Sequence, residues 1–316
     1  MAEDRPEKRA MREVWLGLVE GHQIAAERSN VPLLLALPGA EGRDIDLLVE
    51  RGVITLTETG AIAEDDFGKI VAVESSDDAY LALRHKYPGL NVLQQRVADL
   101  VRSPSPIAWP QGEHIQFCRA RVVNLDLNEP LNIRTHQGQI VFPALAVVSK
   151  LAQLHARDPY VEWSLCLTLH AAIVCSRELG RRVQAFLTEN FLREERYADA
   201  TRDLLGENLY VEISDRQSVD FRSLGNEASQ MLLKAIVPKR IAQETHGQGW
   251  RIDTEMSLHY GGERSSAPMV TWVMNFRWDE RASTEPSAVY GDSLSSVLAN
   301  VGEITSEGEI IVRNAA

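Results

Sequence analysis

The chain has 316 residues, 44% apolar and 25% charged, with 20 Gly and 13 Pro. That balance excludes a collagen-like, largely disordered or disulfide-scaffold protein and leaves ample length for a buried core. Its 33 Lys and Arg against 45 Asp and Glu leave a formal charge of −12, a field that repels phosphate backbones and disfavours nucleic acid as a partner.

In chain order, Asp4 and Glu7 have capping-box-like spacing before a helical pattern through Val14, Trp15, Leu18, Ile24 and Ala25. Residues 1–30 are expected to form a helical extension packed on the main domain. Residues 1–12 alternate acids and bases, so neither a secretory signal nor a transit peptide is expected. The longest apolar run, residues 163–175, is shorter than the roughly 18 residues a membrane span needs. The expectation is a cytoplasmic protein without membrane association. Cys118, Cys166 and Cys175 form no CxxC pair and read as buried thiols in a reducing compartment.

From Val31 short apolar runs alternate with helical segments, the texture of parallel strands joined by crossover helices. Strands are predicted at 32–37, 69–74, 91–95, 121–127 and 162–169. Helices are predicted at 43–50, 77–87, 143–156 and 176–190. The segments VPLLLAL and EWSLCLTL are apolar enough for a sheet covered on both faces. Residues 250–260 and 269–278 alternate apolar and polar side chains across a short Gly-rich connection, which predicts an antiparallel hairpin. The helix leading into it, 226–244, contains Pro238 and is expected to kink or break there. Residues 192–224 read as an insertion forming a lid or partner surface. The tail, 281–316, reads as Ser-, Gly- and Glu-rich with a small hairpin at 302–312.

Four strand ends carry the polar side chains of a candidate site. The first is the segment LALPGAEGRDID, residues 35–46, where Gly39 and Gly42 let the backbone approach a ligand at the carboxyl end of a strand. The second is Val71-Ala72-Val73-Glu74, an apolar strand ending in a carboxylate. The third is Val97-Ala98-Asp99-Leu100, and the fourth VVNLDLNEPL, residues 122–131, where Asp126, Asn128 and Glu129 cluster before a proline.

Five parallel strands followed by a hairpin, with these strand ends, resemble the class I S-adenosylmethionine-dependent methyltransferases over residues 31–278, with a degenerate first motif. The resemblance implies an α/β, Rossmann-like, doubly wound mixed sheet of seven strands with helices on both faces, in a domain spanning 31–280. It implies S-adenosylmethionine as cofactor, with no metal. The glycine turn from Leu37 through Gly39, Glu41 and Gly42 would cradle the methionine part. Leu37 stands where the family normally has an acid, so that Glu41 or Asp44 would meet the ammonium group. Glu74 would accept from both ribose hydroxyls and Asp99 from the adenine amino group. Asp126, Asn128 and Glu129 would face the transferable methyl group, Asp126 orienting or deprotonating the nucleophile. The segment Asn128-Glu129-Pro130-Leu131 partly matches the Asn- or Asp-Pro-Pro-aromatic run of amino-group methyltransferases.

A second reading is a methyltransferase-like scaffold or sensor that has lost catalysis and works with a protein partner or as a homo-oligomer. The thin glycine turn, Leu37 and the extra segments 192–224 and 281–316 motivate it. No P-loop, GxSxG elbow, HExxH or Cys/His cluster at metal-ligand spacing offers another chemistry. Arg177, Arg181 and Arg182 on one predicted helix and Lys234, Lys239 and Arg240 on another would make a basic patch only if the two faces were both solvated and adjacent. Trp250, Trp272 and Trp278 fall on the hairpin, where aromatic residues suit sheet packing.

Overall fold

A computed structural model describes residues 5–29, 31–102, 119–131, 133–134, 140–157, 162–171, 177–215, 223–261, 267–280 and 300–314. The apolar runs become central strands: β1 (Leu34–Ala36), β2 (Ile70–Glu74), β3 (Asn91–Gln94), β4 (Val122–Pro130) and, after the small ladder of β5 (Ile133–Arg134) with β6 (Ile140–Val141), β7 (Trp163–His170). These five pair in parallel in the spatial order β3-β2-β1-β4-β7. The order reverses between β1 and β4, the point where open α/β sheets bind their ligands.

Alternation along the strands sorts their side chains onto two faces. Leu35, Val71, Val123, Leu125, Leu165 and Leu167 meet one set of helices: α4 (Val97–Arg102), α5 (Pro143–His155) and α9 (Asn226–His246). Leu34, Ala36, Ala72, Val122 and Cys166 meet the other: α1 (Pro6–Ser29), α2 (Arg43–Glu50) and α3 (Asp77–Lys86). The protein is thus an α/β structure around a mixed, mostly parallel sheet.

The hairpin of β8 (Trp250–Tyr260) and β9 (Met269–Trp278) is antiparallel as expected. Strand β9 inserts between β7 and β8, antiparallel to both, so β8 runs in the direction of the first five. Among the described residues the sheet holds nine strands rather than the expected seven. The tail hairpin of β10 (Asn300–Ile304) and β11 (Ile310–Asn314) docks on β8, with β10 parallel to it. Gly302 permits that close packing: a Cβ there would lie 2.5 Å from the Ile311 carbonyl oxygen on β11 and 3.0 Å from Leu258 Cδ2 on β8.

Helix α9 runs through Pro238 as a single helix, without the expected break. Its Leu233, Val237 and Ile241 are buried in the large core, and that burial offsets the hydrogen bond the proline removes. In the expected insertion, α7 (Glu195–Leu205) and α8 (Glu207–Ser214) pack with α6 (Arg177–Arg193) and α9 around Leu187, Tyr197, Ile213 and Leu232. Lys234 and Lys239, expected on a solvated face, are fully buried. Lys234 donates to the Gly302 carbonyl at 2.7 Å and Lys239 pairs with Glu194, so neither contributes to a basic surface. No helix of the described residues is long and apolar enough to cross a membrane.

Helix α1 lies along β4 and β7, antiparallel to them. Near its amino end Lys8 reaches Asp126, far along β4; near its carboxyl end the Arg121 guanidinium, just before β4, donates to the Ala25 carbonyl at 3.2 Å. Met11, Trp15, Leu16 and Val19 seal the helix onto the sheet between these points.

Candidate functional site

The ladder registers put the strand ends in one row at the carboxyl rim of the sheet. Ala36, the last residue of β1, pairs with Ala72 of β2 and Asn124 of β4, so Glu74 and Asp126 each lie two residues beyond that level, on the strands either side of the end of β1. The row continues through Gln94 opposite Glu74, and through Thr168 and Thr271 beyond Asp126. Glu74 and Asp126 share the alternation of Ala72 and Val122 and so face the α1/α2 side. At the usual strand spacing their backbones stand roughly 10 Å apart.

Between them β1 turns into α2. Gly39 and Gly42 both adopt left-handed backbone, with φ of 64° and 62°. They differ in surroundings. A Cβ on Gly39 would meet nothing within 4 Å, whereas one on Gly42 would lie 2.7 Å from the Tyr87 ring. The Tyr87 hydroxyl, whose side chain also donates to Asp46, approaches the Gly42 carbonyl at 3.1 Å. Gly39 therefore leaves backbone open to a ligand, and Gly42 makes room for Tyr87.

The other expected residues spread around this row. Leu37 packs against the large core. Glu41 pairs with Arg43 at 2.6 Å. Glu74 accepts from the Ser76 backbone N–H at 3.0 Å, which orients its carboxylate at the strand end. Asp99 is exposed in the first turn of α4. Glu129 is exposed on β4; Asn128 lies in the same strand, but its side chain is outside the described residues, as are Cys118 and Cys175.

Beside Asp126 opens a small cleft of about 30 Å³, lined among others by Lys8, Arg12, Trp15, Asp44, Asn124, Asp126, Cys166, Thr168 and Tyr260. Lys8 Nζ stands 3.1 Å from Asp126 Oδ2, and Arg12 Nε donates to Asp44 Oδ1 at 2.9 Å. Burial pushes the Asp44 carboxyl up to about 6, with the Asp126 charge adding to the effect and Arg12 opposing it. Burial, then the two aspartates, also raises the Cys166 thiol, which makes it a poor nucleophile. Asp126 Oδ1 is enclosed and has no hydrogen-bond partner among the described residues.

Sequence reasoning missed Lys8, Arg12 and Tyr260 here. Lys8 and Arg12 are one helical turn apart, on the stripe of Met11, Trp15 and Val19; two cations on an apolar stripe were the available signal. Tyr260 had none. The extra residue Glu255 forms a bulge in β8, and the bulge switches Leu258 and Tyr260 to the face opposite Ile252.

No family model matches the chain, and no curated protein matches it. The function must therefore be argued from the site. One further arrangement has the look of a catalytic pair. His22 Nε2 lies 2.9 Å from Ser164 Oγ, but that hydroxyl donates to Asn275 Oδ1 at 2.6 Å and so accepts from the imidazole. This polarity makes the pair a structural tie of α1 rather than an activated nucleophile. Among the described residues, no group of three or more His, Cys, Asp or Glu is arranged to hold a metal ion.

Proposed function

We propose that the chain is an S-adenosylmethionine-dependent methyltransferase-like protein that holds its cofactor over the ends of β1, β2 and β3 and the methyl acceptor beside Asp126. The observation that carries this reading is the row of strand ends: Glu74 and Asp126 stand on the two strands that flank the end of β1, where strand order reverses and β1 leads into the open backbone of Gly39. The β3-β2-β1-β4-β7 order of the parallel strands and the hairpin beyond them support it.

The adenosine half of the cofactor fits these residues. Gly39 offers close backbone approach, Glu74 a fixed acceptor for the ribose hydroxyls, and Asp99 an acceptor in reach of solvent for the adenine amino group. The methionine ammonium fits less well, because Leu37 is turned into the core and Glu41 and Asp44 are paired with Arg43 and Arg12. When bound, the sulfonium supplies a methyl group on a leaving group that needs no acid. The protein's part is alignment: the rim holds the acceptor in line, and Asp126 orients it or takes its proton.

Titration calorimetry with S-adenosylmethionine and S-adenosylhomocysteine tests the reading. Heat is expected with both, and Glu74→Ala is expected to weaken binding about tenfold or more, as loss of hydrogen bonds to a charged group does. No heat with either ligand at millimolar concentration overturns it. The second reading, a catalytically silent scaffold or sensor, is favoured by one observation: Lys8 and Arg12 neutralise both carboxylates of the cleft. Cofactor binding with no transfer to any acceptor, in the wild type and in Lys8→Ala alike, would select it.

A further inference from the structure

We infer that the cleft under α1 receives a primary ammonium group, and that Lys8 is its intramolecular stand-in. The inference rests on the methyltransferase reading and names the acceptor of that site: an alkylamine about the size of a lysine side chain.

The two ion pairs of the cleft are unlike each other. Arg12–Asp44 is enclosed, with side chains 16% and 11% exposed, whereas Lys8–Asp126 is open, at 42% and 34%. The Lys8 ammonium uses only Oδ2 of Asp126, and the enclosed Oδ1 has no hydrogen-bond partner among the described residues. An ammonium has three donors on one small head, so one entering more deeply than Lys8 can engage both oxygens. The surrounding walls suit it. Trp15 and Tyr260 bring aromatic rings, Asp44 a second carboxylate, and the charge of −12 favours approach of cations.

Displacing Lys8 does not undo α1. An exposed ion pair on a flexible side chain contributes little, and the helix stays anchored by Trp15, Val19 and the Arg12–Asp44 pair. In the transfer, the bound ammonium gives one proton to Asp126 and its freed lone pair forms the new N–C bond. The C–S bond breaks with its electron pair remaining on sulfur as S-adenosylhomocysteine leaves. The methylated product carries the positive charge, and the proton on Asp126 passes to water.

The test is chemical rescue of Lys8→Ala by millimolar n-butylamine, with ionic strength matched by sodium chloride and butan-1-ol as the neutral control. The melting temperature of Lys8→Ala is expected to rise with the amine and with neither control, and the rise is expected to vanish in Lys8→Ala combined with Asp126→Asn. No amine-specific rise, or an equal rise without the Asp126 charge, overturns the inference. Should Lys8→Ala fail to fold, Lys8→Gln keeps most of the side chain and takes the same titration. Calorimetry with S-adenosylmethionine on the same samples separates the two claims. Cofactor heat without amine rescue refutes the ammonium site alone; amine rescue without cofactor heat supports the site and refutes the methyltransferase reading.

Discussion

The two faces of the sheet hold the molecule together by different means. On the α4, α5 and α9 side, Trp163 stacks on Phe276 at 3.8 Å and on His155 at 4.3 Å, while the Trp250 indole N–H donates to the Ala152 carbonyl at 2.8 Å. On the α1 side the rim of the same strands carries Asn124, Asp126 and Thr168 under Lys8 and Arg12. A dry face gains from area and close fit, and tolerates little change. A polar rim gains only as much as its partners satisfy, and one unsatisfied carboxylate oxygen leaves it capacity for a ligand.

The largest expected effect breaks the dry face: Trp163→Ala is expected to cost about 4 kcal/mol, read as a lower urea midpoint. Acid comes next. Burial holds His155 down to about 4, below its ordinary 6.5, so the stability of its neutral form is full above 6.5 and is lost as pH falls toward 4. That loss is on the order of 3 kcal/mol, and His155→Gln is expected to flatten it. His22, also lowered by burial and then by Arg121, acts in the same direction. Asp44 acts in the opposite one. Its carboxyl is raised from 3.8 to about 6, so the stability tied to its neutral form is full below 3.8 and is lost as pH rises through 6.

Arg12→Ala sharpens the comparison at the rim. It is expected to cost about 2 kcal/mol at alkaline pH and less as pH falls, because Asp44 then takes a proton rather than carrying an uncompensated charge. The two glycines separate next. Gly42→Ala, strained in φ and against Tyr87, is expected to cost about 2 kcal/mol, and Gly39→Ala, strained in φ alone, about 1 kcal/mol. Thermal melts rank them, and only Gly39→Ala is expected to weaken cofactor binding through the added methyl group. The smallest change is Lys8→Ala, below about 1 kcal/mol by denaturation, as for exposed ion pairs.

Most of the central fold was legible because its signals are local. The apolar strands, α2 at 43–50 and the hairpin follow from alternation and helical spacing. The position of β9 inside β8 was not, since a hairpin fixes which strands pair with each other but not which of them meets the neighbouring sheet. Pro238 misled for a related reason: its local cost is overruled by burial on a helix that packs along much of its length. At the site, Glu74 and Asp126 could be named from strand ends. Their counter-charges could not, because Lys8 is 118 residues from Asp126 in the chain.

By itself the sequence determined the alternation of strand and helix, and it put a carboxylate at the end of β2 and another near the end of β4. Those choices depend on periodicity and turn chemistry within a few residues. Only the tertiary structure decided that α1 lies along β4 and β7, that a single bulge brings Tyr260 to that side, and that Gly42 answers to Tyr87 while Gly39 stays open. Such outcomes depend on which distant side chains share one face of the sheet, and no local pattern encodes them.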